Sequence, residues 1–424
     1  ILSSTYAKPS LYGVTRNNAG MVYVLYGRQY SSTVHAADLD LVHVTQASLT
    51  YGYRIIGAAA NDLCGWSVSG AGDMNGDGYA EVIVGSPFAT IFDGIATSGV
   101  SYVIFGQAGL HPQVDLLLMK SSPTTGFRIL CTLTGYVLSG FSVNSAGDVN
   151  GDGLADVIVG TTGYVVYGGN YIDQPSSQPS TQPSAQPSGQ PTFQPSLHMT
   201  EIKDISLGSL PLSTGVRLFS AQNAYVVSNA GDINGDGLSD LLFGAPAESA
   251  NSLVASGITY VVFGRTTKFS ADFNLTAMVT GRYTGFRILG STAGDKAGAA
   301  VNGAGDVNGD GVDDIIVGAP ESASPGTPVG SQSGKTYVLF GRKVTSANVF
   351  ANILLGNYNT GAVNGFRIYG TVAGIQSGNS VSGAGDVNGD GIGDVITGAK
   401  LLTPAVGRES AGGAFVVFGK AVPV

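Results

Sequence analysis

Five segments of this 424-residue chain repeat one phrase in which acidic and amide side chains alternate with glycine, D-x-N-x-D-G-x-x-[DE]. The sets are Asp73, Asn75, Asp77 and Glu81; Asp148, Asn150, Asp152 and Asp156; Asp232, Asn234, Asp236 and Asp240; Asp306, Asn308, Asp310 and Asp314; and Asp386, Asn388, Asp390 and Asp394. Oxygen ligands at positions 1, 3, 5 and 9, a turn glycine at 6 and a backbone carbonyl at 7 suit a hard cation. The position-7 carbonyls belong to Tyr79, Leu154, Leu238, Val312 and Ile392. With no His or Cys in the pattern, Ca²⁺ is the expected ion, about five per chain and structural. Position 12 is Val84, Val159, Phe243, Val317 or Thr397, so these are not EF-hands, which place Glu there. Fifteen of the 29 acidic residues sit in these loops, where unneutralised like charges repel. Five divalent cations would carry the formal charge from -9 to +1. Affinities of about 10⁻⁴ to 10⁻³ M, usual for extracellular modules, would keep such sites loaded at millimolar calcium.

Loops of this kind need strands to hold them. The first aspartates are spaced by 75, 84, 74 and 80 residues, and each unit carries about four strand signals, which predicts the blades of a β-propeller. Strand A precedes the acidic loop, as in Trp66 to Gly70 or Phe141 to Ser145. Strand B follows it, as in Val82 to Gly85 or Ile315 to Gly318. Strand C is the YVVFG phrase, as at Tyr102 to Gly106, Tyr260 to Gly264 and Phe415 to Gly419. Strand D is the FRILG phrase, as at Tyr53 to Gly57, Phe127 to Cys131 and Phe286 to Gly290. The first residues read as strands B and C of a blade without its strand A, and the last as a strand C without its strand D. The fold class is therefore all-β: one propeller over 1–424 of four-stranded antiparallel blades, with six blade equivalents, from a six- or seven-bladed ring. Residues 174–196, QPSSQPSTQPSAQPSGQPTFQPS, place proline in every four-residue unit and predict an extended spacer inserted between strands C and D, on the face of the acidic loops.

Bulk composition agrees. Charged residues are 12% and glycine numbers 64, which favours short strands and tight turns over solvated helices. The acidic balance and the absence of a Lys/Arg run argue against a nucleic-acid partner, and no apolar stretch is long enough to insert in a membrane. Cys64 and Cys131 are too few for a disulfide framework, and a bridge between them is left open. His35, His43, His111 and His198 are scattered, with no nucleophile or metal-pair spacing, so no catalytic residues are assigned. Asn274-Leu275-Thr276 is a glycosylation sequon, and the spacer's hydroxyls could carry O-linked sugars.

Taken with their strand C endings in phenylalanine-glycine and the Gly-Ala-Pro type endings at Gly85-Ser86-Pro87, Gly244-Ala245-Pro246 and Gly318-Ala319-Pro320, the repeats resemble the FG-GAP repeats of the integrin α-subunit N-terminal propeller. The endings at Gly160-Thr161-Thr162 and Gly398-Ala399-Lys400 depart from that pattern. The resemblance implies calcium loops between strands A and B and a partner-binding face on the opposite side. That face would carry connections such as 58–65, 87–99, 248–257 and 321–334. The expected function is an extracellular or cell-surface module for adhesion, ligand binding or structure, engaging a protein or glycan or assembling with itself. Two alternatives are a subunit of an extracellular filament or sheath, and the non-catalytic propeller region of a secreted hydrolase. The repeats also resemble those attached to a phospholipase D that cleaves glycosylphosphatidylinositol anchors.

Overall fold

The computed structural model describes residues 1–11, 13–27, 41, 44, 51–89, 98–109, 111, 113–119, 124–132, 138–160, 162–169, 204–220, 226–267, 269, 271–281, 284–328, 330–345, 349–358, 360–361, 364–404 and 410–421. The proline spacer expected at 174–196 lies outside them. Six antiparallel sheets follow one another along the chain as the blades of a β-propeller. Blade 1 has strands B, C and D at Leu2–Ser4, Met21–Leu25 and Gly52–Ile56. Blades 2 to 5 have all four, with inner strands A at Ser67–Gly72, Val143–Gly147, Val226–Gly231 and Ala300–Gly305. Blade 6 has A, B and C at Ser377–Gly385, Asp394–Ala399 and Gly413–Val417.

Strands B read as unbroken apolar runs because both of their faces are covered. Glu81–Ser86, Asp240–Ala245 and Asp314–Ala319 are buried at every residue. The core accordingly lies between blades. Ile83, Phe127 and Ile129 of blade 2 pack on Val157 and Tyr164 of blade 3, and Phe286 and Leu242 of blade 4 pack on Val317 and Tyr337 of blade 5. Around the axis the inner strands touch in order, joined by a side-chain ladder. Ser69 Oγ donates to Asn144, Asn144 to Ser228, Ser228 to Asn302, and Asn302 to Ser382, at 2.8–3.4 Å.

Strand C ends two residues earlier than its sequence phrase predicts, for example Ile258–Val262 and Lys335–Leu339. The phenylalanine N–H instead meets a loop carbonyl, as Phe263 does with Thr284, and the glycine N–H is drawn to an acidic side chain described below. A further strand, not anticipated, joins consecutive blades. Two residues of the C-to-D connection pair in parallel with strand D of the preceding blade: Val114–Asp115 on Ile55–Ile56, Ile205–Ser206 on Ile129–Leu130, Phe273–Asn274 on Leu218–Phe219 and Ile353–Leu354 on Ile288–Leu289. The next residue, Leu116, Leu207, Leu275 or Leu355, is buried beneath it. Cys64 lies in the connection between blades 1 and 2 and Cys131 just after strand D of blade 2; both are buried, and they are not bridged to each other.

Candidate metal centres

Each strand A runs into its acidic loop through a glycine bulge. Gly72, Gly147, Gly231, Gly305 and Gly385 stand at φ between 68° and 71°, where the ladder register shifts by one residue. A left-handed backbone here favours glycine and turns the chain into the loop. The aspartate that follows then folds the loop around its own carboxylate. Asp306 Oδ1 accepts the N–H groups of Gly309 and Asp310, and its Oδ2 that of Gly311, at 2.7–3.1 Å. Asp73, Asp148 and Asp386 repeat all three contacts, and Asp232 repeats two. The N–H at position 7 is bonded by the position-5 carboxylate in all five loops.

The position-9 carboxylate is the buried member. Glu81, Asp156, Asp240, Asp314 and Asp394 are 0–1% exposed. In each blade this residue accepts two backbone N–H groups, one from position 2 of its own loop and one from the glycine closing the FG or YG pair after strand C. Those glycines are Gly106, Gly168, Gly264, Gly341 and Gly419. No side chain fits at that glycine. A Cβ on Gly341 would stand 2.1 Å from the carbonyl oxygen of Asp313, and one on Gly106 2.6 Å from that of Ala80.

The loops are also knitted to one another. The carbonyl at position 1 accepts the position-8 N–H of the next loop, as Asp73 from Ala155, Asp148 from Ser239 and Asp306 from Gly393. The position-2 carbonyl accepts the N–H just after the next FG or YG pair, from Gly169, Arg265, Arg342 and Lys420.

Burial dominates the electrostatics. It pushes the carboxyls of Glu81, Asp156 and Asp314 up to about 7 and that of Asp240 well above the ordinary range. The two backbone hydrogen bonds oppose the shift, and the charges at loop positions 1 and 5 add to it. Exposed Asp386 moves the other way, held down first by the Gly391 N–H. The first loop brings carboxylate oxygens of Asp73, Asp77 and Glu81 within 4.8 Å of one another. Among the described residues no other acidic loop gathers three carboxylates that closely. In the third loop Asn234, 2% exposed, has its Oδ1 buried with no partner. Oxygen donors, clustered negative charge and an orphaned buried acceptor fit a divalent cation. The position-7 carbonyl carriers Tyr79, Leu154, Leu238, Val312 and Ile392 all lie within these loops.

Of the histidines, His111 is buried, stacked at 4.3 Å on Tyr53, with Nε2 3.1 Å from the Phe105 carbonyl. His35, His43 and His198 lie outside the described residues. Among the described residues no helix is long and apolar enough to cross a membrane. Sequence reasoning missed the role of the FG glycine as a donor to position 9. Its signal was the recurrence of that glycine 12 to 27 residues after the acid.

Comparison with known proteins agrees with this geometry. The FG-GAP repeat family matches residues 65–104, 140–172, 223–262 and 297–339, and a PT disordered repeat matches 172–201. The fifth loop, 386–394, lies beyond the matched segments yet makes the same hydrogen bonds. The chain is similar to phosphatidylinositol-glycan-specific phospholipase D of Bos taurus, 30% identical over 179 residues, 42% of this chain and 18% of that protein. It is similar to integrin alpha-4 of Xenopus laevis, 29% identical over 177 residues, 42% of this chain and 14% of that protein. It is also similar to integrin alpha pat-2 of Caenorhabditis elegans, 32% identical over 195 residues, 45% of this chain and 13% of that protein. The chain thus spans less than a fifth of the length of these relatives.

Proposed function

The chain is an integrin α-like FG-GAP repeat protein, and from that premise we propose that it is an extracellular, calcium-stapled propeller that presents a ligand-binding or adhesive surface. The observation that carries this reading is the buried position-9 carboxylate, repeated five times beside two further acids in a loop that also braces the next blade. A bound Ca²⁺ would supply the positive charge those acids lack. The ligands would be the side chains at positions 1, 3, 5 and 9 and the carbonyl at 7.

With the calcium loops on one face, the B-to-C and D-to-A connections on the other are the surface for a protein or glycan partner. Two features of that face support it. Exposed Trp66 and Phe88 and half-buried Phe141 form an aromatic cluster, with the Trp66 ring centroid 6.2 Å from that of Phe88 and 5.2 Å from that of Phe141. A cavity of about 610 Å³ opens between 292–295 and 321–332, with Lys335, Arg367 and Tyr369 in its wall.

The test is thermal unfolding in EGTA and in 1 mM Ca²⁺, with bound metal counted by elemental analysis. Sites of about 10⁻⁴ to 10⁻³ M add about 0.4–1.4 kcal/mol each at that concentration, so five raise Tm by about 2–8 °C. No bound metal and no shift would refute the calcium reading. The likeness to a phospholipase D supports a second reading, in which this propeller is the non-catalytic region of a secreted hydrolase. Hydrolysis of a glycosylphosphatidylinositol substrate by residues 1–424 alone would overturn the non-catalytic assignment.

A further inference from the structure

In blades 4 and 5 the residue after the strand C glycine is an arginine whose N–H donates to the acidic loop of the preceding blade, Arg265 to Val149 and Arg342 to Ile233. Both guanidinium groups lie over a ring of the C-to-D connection, Arg265 4.0 Å from the centroid of Phe269 and Arg342 4.2 Å from that of Phe350. Neither side chain forms an ion pair among the described residues, and the Nε of each is buried without a partner. Arg54 and Arg217 also bury a lone Nε, yet a terminal nitrogen of each reaches an oxygen, on Gln113 and on Asp272.

What separates Arg265 from Arg342 is a second cover. In blade 4 a further ring, Phe273 of the parallel strand, stands 5.6 Å from Arg265. At that place in blade 5 the residue is Ile353, and beside it a cavity of about 360 Å³ opens on Arg342. One side of it is firmly built, since Phe350 stacks on Phe286 with centroids 4.4 Å apart and planes inclined by 6°. The wall adds the amides of Asn352, Asn357 and Asn364, and Arg342 is the one charged residue among the described residues that line it. Burial alone pulls its pKa down, with no acid opposing the shift. A half-desolvated cation without a counter-charge favours an incoming anion, and a carboxylate matches its planar fork.

We propose that this cavity binds a hexuronate unit of an acidic polysaccharide, its carboxylate paired with Arg342 and its hydroxyls on the asparagine amides. A carboxamide offers a donor and an acceptor side by side, the pattern that neighbouring ring hydroxyls answer. Asn352 Oδ1 already accepts from Thr280 and from the Arg287 N–H, so this residue contributes its amide hydrogens. A peptide carboxylate would take the Arg342 seat and leave the amides idle. The volume falls within the range of small-ligand pockets and suits one sugar ring. The cavity adjoins the acidic loop of blade 4, away from the face proposed for a partner, so neither reading requires the other.

The probe is sodium glucuronate, titrated into the full chain at fixed free calcium and followed by backbone amide NMR. Saturable shifts at 340–344 and 350–358 are expected, with a dissociation constant of about 1 mM, the order allowed for so small a ligand. Glucose, which lacks the carboxylate, and N-acetylaspartate methylamide, which lacks the ring, should each bind at least about tenfold more weakly. Arg342→Gln should weaken glucuronate about tenfold. Because Gln also removes the stack on Phe350, Asn357→Ala, at an exposed side chain, supplies a second readout, a loss of about threefold at an unchanged melting temperature. No binding at about 20 mM, shifts centred elsewhere, equal binding of the peptide acid or of sulfate, or indifference to both substitutions would overturn the proposal. Binding that vanishes in EGTA while the chain stays folded would put the carboxylate on a loop-bound cation and overturn the assignment to Arg342.

Discussion

The Oδ1 of Asp314 accepts the backbone N–H of Gly341, 27 residues further along, at 2.8 Å, while its Oδ2 holds the N–H of Val307. One buried carboxylate therefore joins the start of strand B, the end of strand C and the acidic loop. Asp314→Ala orphans two buried donors and should cost about 2–5 kcal/mol in EGTA, read from urea unfolding. Asp314→Asn retains one acceptor and should cost less in EGTA. It should also lose one metal from the count, which separates the ligand role from the structural one.

Gly341→Ala should destabilise by at least about 2 kcal/mol, because the new methyl meets the Asp313 carbonyl and the Asp314 bond must open. Gly70→Ala, in strand A with no atom within 4 Å of its Cβ position, should stay within about 0.5 kcal/mol of wild type. Equal effects at the two glycines, measured by the same unfolding midpoints, would refute the steric account.

The axial ladder predicts energetic coupling between blades. Ser228 and Asn302 sit 3.1 Å apart, each also bonded to a further blade. In a double-mutant cycle, Ser228→Ala and Asn302→Ala should be non-additive by about 0.5–1 kcal/mol, while Ser69→Ala with Asn302→Ala should add.

Asp62, between blades 1 and 2, gives a pH dependence away from the acidic loops. Burial pushes its carboxyl from 3.8 up to about 6, against the Ala59 N–H and Arg16, which pull it down. The folded state therefore binds this proton more tightly than the unfolded chain. The stability it confers is full below about pH 4 and is lost as pH rises to about 6. Asp62→Asn, which keeps the acceptor for Ala59, should match wild type near pH 4. Above pH 6 it should gain about 1–3 kcal/mol, measured by chemical unfolding across that range. A pH-independent difference would show that Asp62 titrates normally.

Most of the blade was legible because its signals are long and repeated. Five acidic phrases and the alternation in strands A to D locate the sheets to within two residues. The parallel strand between blades was not, because two residues such as Val114–Asp115 show no periodicity. Its trace is the recurrence of a polar residue, an apolar one and a buried leucine two further on, at Gln113, Asp204, Asp272 and Asn352. The Ser and Asn of the ladder looked like ordinary turn-prone residues, since their partners lie 74 to 84 residues away. The acidic and amide side chains of the loops were readable as a pattern. The main-chain donors they share were not, since every residue type but proline offers an N–H.

The carbonyls that pass from each acidic loop to the next give the ring a direction. The loop of blade 2 lends its carbonyls forward to blade 3, and so on to blade 6, whose loop leans on Asp306 and Val307. Each shared carbonyl makes one loop's shape a condition of its neighbour's, and such coupling is reciprocal, so whatever steadies one loop would steady those on either side of it.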